Sequence, residues 1–121
     1  MSIGYSRVDL IGNLGQDPKV TEGTDGTLRV NFPLAVNRMR RDGGGEKRTE
    51  ADWFRIVAWG RAAEICRQLL SKGSWVFISG RLQTRRWEDE DGGWHGITEV
   101  NLREVILLER REPEATECGE S

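Results

Sequence analysis

Asp52-Trp53-Phe54-Arg55-Ile56-Val57-Ala58-Trp59-Gly60-Arg61-Ala62-Ala63-Glu64-Ile65-Cys66-Arg67-Gln68-Leu69-Leu70 changes its period half-way along. Over residues 52–59 the pattern repeats every two positions, as in a strand. Phe54, Ile56 and Ala58 form one apolar face; Trp53, Arg55, Val57 and Trp59 form the other. From Ala62 onward apolar residues recur at 62, 65, 66, 69 and 70, the spacing of an amphipathic helix. A strand therefore runs directly into a helix. Lys72 complements the helix dipole at its C-terminal end, and Gly73 can supply a left-handed cap.

On the N-terminal side, residues 5–14 read as a first strand, with Val8 and Leu10 alternating against Arg7 and Asp9. Lys19, Val20 and Thr21 continue it past the turn Asp17-Pro18. Asp25-Gly26 is a tight-turn pair. Leu28, Val30, Phe32, Leu34 and Val36 then alternate strictly as a second strand, in which Pro33 suggests a bulge or an unpaired position. A polar arm over residues 38–49 has Asp42-Gly43-Gly44-Gly45 at its tip. After the helix, residues 74–82 form a strand with Val76, Ile78 and Leu82 on one parity. A second polar hairpin, residues 84–96, turns at Asp91-Gly92-Gly93, and residues 97–108 make the last strand. Three strands, a helix and two strands is the connectivity of an OB-fold. The expected class is all-β: a five-stranded Greek-key barrel with one helix between the third and fourth strands. Residues 1–108 are expected to be that domain. Residues 109–121 are expected to be a short acidic, disordered tail.

Five tryptophans among 121 residues, against one tyrosine, stand out in the composition. The formal net charge is −2, which argues against a nucleic-acid partner until its placement is considered. Five Glu and two Arg lie between Glu109 and Ser121, which leaves residues 1–108 at +1. Cys66 and Cys118 fit no metal or redox spacing and read as free thiols, with Cys66 in the core. No apolar run is long enough to span a membrane, and no signal pattern opens the chain. A soluble, cytoplasmic, nucleoid-associated protein is expected. The lone His95 has no evident partner for acid–base work, and Glu88-Asp89-Glu90-Asp91 lacks the spacing of a calcium loop. No enzyme, cofactor or metal is expected.

Two indoles and a guanidinium on one outward strand face suit stacking of nucleobases, which demands no particular sequence. Thr84-Arg85-Arg86-Trp87 repeats that chemistry at the root of the second hairpin. Arg38, Arg40 and Arg41 stand on the first. Both hairpins flank the face on which such barrels bind oligonucleotides. Single-stranded nucleic acid is the expected partner. Two alternatives share these residues: an adaptor whose aromatic face binds protein, and an RNA-binding module. Trp75 and Phe77 lie opposite in parity to Val76 and Ile78 and are expected at an oligomer seam. Trp94 near the hairpin tip stays unassigned.

Val8-Asp9-Leu10-Ile11-Gly12-Asn13-Leu14-Gly15-Gln16-Asp17-Pro18 resembles the opening motif of the bacterial single-stranded DNA-binding protein family. Trp53 to Glu64 resembles its third strand and the start of its helix, and Lys72 to Trp87 its fourth strand and hairpin root. The resemblance is collinear over about residues 3–108. It implies an OB-fold homotetramer that coats single-stranded DNA in replication, recombination and repair. It implies stacking at Trp53, Trp59 (where the family often has Phe) and Trp87. It places Arg55, Arg61, Lys72, Arg85 and Arg86 near the DNA path. Arg40 stands where well-known members carry another stacking Trp, and Phe54 where they have a polar ring near the subunit interface. The family's usual acidic tip ends in Asp/Pro/Phe and recruits replication and repair proteins. Glu117-Cys118-Gly119-Glu120-Ser121 is acidic without that anchor, so recruitment by that route is not expected.

Overall fold

The strictly alternating apolar residues of 28–36 and 54–58 become the inner wall of a barrel, because each strand buries one face. The computed structural model describes residues 1–110. In chain order the elements are β1 (Val8–Leu14), β2 (Lys19–Glu22), β3 (Leu28–Arg41), β4 (Lys47–Trp59), α1 (Gly60–Leu69), β5 (Trp75–Glu88) and β6 (Trp94–Glu109). Strands β1, β5, β6, β4 and β3 pair in that order, and β1 returns to β3 through Asn13↔Ala35 and Leu14↔Leu34. Five strands thus close a ring, and β2 hangs on β3 outside it. All neighbours are antiparallel except β4 and β6, which run parallel at Ile56↔Val100 and Val57↔Asn101.

One expectation needs correction. The helix follows the fourth strand, not the third, because the stretch expected to form one strand is two. β1 must pair with both β5 and β3, whereas β2 pairs only with Leu28–Asn31. The break lies at residues 15–18, where Gly15 N–H leaves the strand to bond the Pro33 carbonyl at 2.9 Å. Pro33 makes no bulge, since its register with Arg55 is continuous. Its carbonyl, and hence its nitrogen, points toward β1 and β2. It falls in the gap between the β2 ladder, which ends at Asn31, and the β1 ladder, which begins at Leu34. The missing N–H has no ladder partner to lose there.

The core comprises Leu14, Val30, Phe32, Leu34, Ile56, Ala58, Val76, Ile78, Val100 and Leu102 from the strands. Ala63, Cys66 and Leu70 reach it from the helix side. The buried stripe of α1 is therefore turned from the one expected: Ala62 and Leu69 are half-buried and Ile65 is exposed. Ala63, lacking atoms beyond Cβ, lets the helix backbone close on the barrel, and Ile65 lies about 100° round from Cys66. Burial pushes the Cys66 thiol up to about 11. The helix ends before Leu70, whose N–H bonds Cys66 O. Gly73, at φ +90°, serves the turn Ser71–Ser74 rather than a helix cap.

Leu82 is exposed, not core. The β5–β6 register shifts between Ser79 and Gly80, and past Arg81 and Leu82, whose partners Asn101 and Val100 are the last β6 residues paired with β4, the two strands leave the barrel as a two-stranded arm. β3 and β4 extend likewise to a tight turn in which Asp42 N–H bonds Glu46 O. Most of the expected acidic tail, with Cys118, lies outside the described residues. No helix among the described residues is long and apolar enough to cross a membrane.

Candidate nucleic-acid interface

Trp53, Arg55, Val57 and Trp59 project from one side of β4, which pairs with β3 without interruption from Trp59 to Lys47. Gln83, Arg85 and Trp87 alternate on β5. Glu99 of β6 joins the two sets. Its Oε2 accepts from Arg55 Nε at 2.8 Å and from Arg85 Nη2 at 3.2 Å. The Glu99 side chain is 1 % exposed, whereas Arg55 and Arg85 are 39 % and 47 % exposed. Burial alone would push the Glu99 carboxyl up, but the two guanidinium groups outweigh it and hold the carboxyl below its ordinary value of 4.5. The cluster is two cations on one buried anion. Its guanidinium groups are fixed from beneath and open above.

Each tryptophan is seated differently. Trp53 is 61 % exposed. Its ring lies on Gly15, where a Cβ would come within 2.6 Å of Trp53 Cζ3. Gln16, Asn31, Pro33, Phe54, Arg55 and Ile97 complete a shallow groove beside it. Trp59 is 47 % exposed at the junction with α1, and its cross-strand partner Arg29 places Cζ 5.5 Å from the ring centroid. Trp87 carries Arg85 at 5.2 Å and is stacked with its cross-strand partner His95 at 5.6 Å and 23°. His95 Nε2 in turn lies 2.6 Å from Asp89 Oδ2. Val57, expected to face outward between Arg55 and Trp59, is buried outside the main core cluster and floors this face.

The remaining predicted residues do not all gather here. Arg38 and Arg40 alternate onto the side of the first arm away from Trp53. There Arg38 pairs with Asp52 at 2.9 Å and Glu50 at 3.1 Å, and Arg40 pairs with Glu50 at 2.7 Å. Arg41 faces the Trp53 side with its cross-strand partner Lys47. Arg61 is exposed on the first turn of α1, two residues beyond Trp59. Lys72 is exposed, and its N–H bonds Asp17 at 2.7 Å in the connection that carries Gly15. Arg86 alternates with Arg85 and so projects from the other face of its arm. Trp75 is exposed and Phe77 half-buried on the outside of the barrel, while Phe54 packs against the core and edges the groove. Asp89 accepts N–H bonds from Asp91 and Gly93 in the hairpin turn. Among the described residues no group of three His, Cys, Asp or Glu is placed to hold a metal.

Sequence reading missed Glu99, Arg29 and the pairing of His95 with Trp87. For Glu99 the available signal is a carboxylate beside Val100 within the last expected strand.

Residues 5–108 match the Single-strand binding protein family. The Single-stranded DNA-binding protein 1 of Chlorobaculum tepidum is 47% identical over 109 residues, covering 89% of this chain and 67% of that protein. Among solved structures, a chain of the Plasmodium falciparum SSB complex with ssDNA is similar with a TM-score of 0.79 at 30% identity. That likeness covers 90% of this chain and 99% of the other. With the family match spanning the barrel, the helix and both arms, the chain belongs to the single-strand binding protein family.

Proposed function

We propose that this chain binds single-stranded DNA without regard to sequence, coating and protecting it during replication, recombination and repair. The observation that carries this reading is the joined face: Trp53, Arg55 and Trp59 on β4, and Arg85 and Trp87 on the arm, linked through Glu99. Unstacked bases lie on the indoles, each stack contributing about 1–3 kcal/mol. A guanidinium has five donors, so Arg55 and Arg85 keep N–H groups for phosphate after bonding Glu99. Arg41 and Lys47 continue the positive edge on the Trp53 side. Arg61 stands two residues beyond Trp59, Lys72 is tied to the connection that carries Gly15, the seat of Trp53, and Arg86 acts from the other arm face. Arg38 and Arg40 contribute least, since carboxylates already hold them.

This is binding, not catalysis, and it requires no cofactor. Residues 1–108 act as an OB-fold binding unit and residues 109–121 as an acidic appendage. The unit works as a homotetramer. Ile11, Phe77 and Ile106 are cross-strand neighbours on the outer wall, with Trp75 and Leu108 close by, and such an apolar stripe suits a subunit seam. A cytoplasmic, nucleoid-associated location follows from that substrate.

The test is a titration with poly-dT while tryptophan fluorescence is followed. Strong quenching is expected, with duplex DNA bound far more weakly. Trp53→Ala, Trp59→Ala and Trp87→Ala should each weaken binding about tenfold, the scale of one stack. Absence of quenching, or equal affinity for duplex, overturns the reading. Tighter binding of a matched RNA oligomer would move the function to RNA.

A further inference from the structure

The arm formed by β5 and β6 beyond the barrel presents two faces. Its register pairs Thr84 with Thr98, Arg86 with Gly96 and Glu88 with Trp94, which puts these six on the side turned away from Arg85 and Trp87. On that side Trp94 is 70 % exposed. Its ring meets no other ring or guanidinium among the described residues. Arg86 is exposed too, with no ion-pair partner among them, unlike Arg55 and Arg85. Between the two stands Gly96. A Cβ there would lie 3.7 Å from Arg86 Cγ and Thr84 Cγ2, an ordinary contact, so packing does not demand glycine. The bare backbone leaves a notch with Trp94 and Arg86 on its rim. Thr84 and Thr98 lie on its floor, their hydroxyls 3.5 Å apart.

An open indole face, an unpaired guanidinium and two hydroxyls within one notch match the parts of a nucleotide. Glu88 stands across from Trp94 and repels anions, so the phosphate belongs on the Arg86 side, toward the barrel, with the base on Trp94. A protein partner fits less well. Trp94 and, at the barrel end, Leu82 are the exposed large apolar side chains on this face among the described residues, too little area for a stable protein interface, which buries roughly 800 Å² per partner.

We propose that this reverse face is a second, outer nucleotide site, occupied by the bound single strand after it crosses the arm from Trp87. The proposal rests on the single-stranded DNA reading above. The test uses the full chain and two oligo-dT probes, of about 5 and about 16 nucleotides, near the ends of the range a single barrel covers. Trp94→Ala and Gly96→Leu should each weaken the longer probe about tenfold, or about 1.4 kcal/mol, and leave the shorter unchanged. Trp94→Phe should keep most of the affinity. If both substitutions leave the longer probe bound as by the unaltered chain, the outer site is overturned while the front-face reading stands. Equal weakening of both probes, or altered sedimentation with unchanged DNA affinity, overturns it as well. If the unaltered chain binds neither probe, both proposals fall.

Discussion

Glu99 is the residue on which the interface turns. It takes Arg55 from the barrel and Arg85 from the arm and fixes both against one oxygen. Removing one partner of a fully buried pair costs about 3–5 kcal/mol. Here both arginines are two-fifths exposed or more, so water screens part of that loss. Glu99→Gln is expected to lower stability by about 1–3 kcal/mol in urea unfolding. Its folded carboxyl is held below the ordinary value of 4.5. The stabilisation is thus present in full above that value and is lost as the pH falls through the lower folded one. The stability gap between wild type and Glu99→Gln should therefore close on acidification. The same substitution removes an anion beneath the two guanidinium groups proposed to bind phosphate. Log Kd for oligo-dT should then depend on log salt more steeply by about 0.7, one further released counterion. A merely structural Glu99 would leave that slope unmoved. Little of this was legible in the sequence. Trp53 and Arg55 show themselves by alternation, but the partners of Glu99 lie 44 and 14 residues away. Local pattern carries no record of such a meeting.

Among the elements, β3, β4 and the junction with α1 were readable because one face of each is dry and the other wet. The division of β1 from β2 was not, for it depends on backbone approach. At Gly12 a Cβ would run into the Ala35 carbonyl of β3, and only a residue without one lets β1 reach its closing partner. The rotation of α1 was hidden for a similar reason: the depth to which a helix settles on a barrel is set by its smallest contacting residue, Ala63. Gly12→Ala is expected to destabilise the chain by about 2–3 kcal/mol, the usual cost of overpacking, seen as a fall of roughly 10 °C in Tm. Gly4→Ala, where nothing lies within 4 Å of the added carbon, is the matched control and should leave Tm unchanged. Gly15 makes the parallel point for the site, since a side chain there would push the Trp53 ring off its seat.

For the whole molecule, net charge was a poor guide and placement a good one. The groove is positive although the chain carries −2, because acidic residues sit in the arms, the turns and beyond residue 108. The outer wall supplies the assembly prediction. Ile106 is 48 % exposed and is the cross-strand neighbour of Phe77. Ile106→Asp should shift the sedimenting species to a smaller size at micromolar concentration; an unchanged coefficient would place the seam elsewhere. Ring closure itself has a consequence in time. Val8 pairs with Gly80, so the first strand made waits for the fifth. At about 5–20 residues per second the ribosome needs roughly 4–14 s to bridge that interval. Throughout it the nascent N-terminal half carries an unsatisfied strand edge, so the chain is most exposed to wrong partners before it leaves the ribosome.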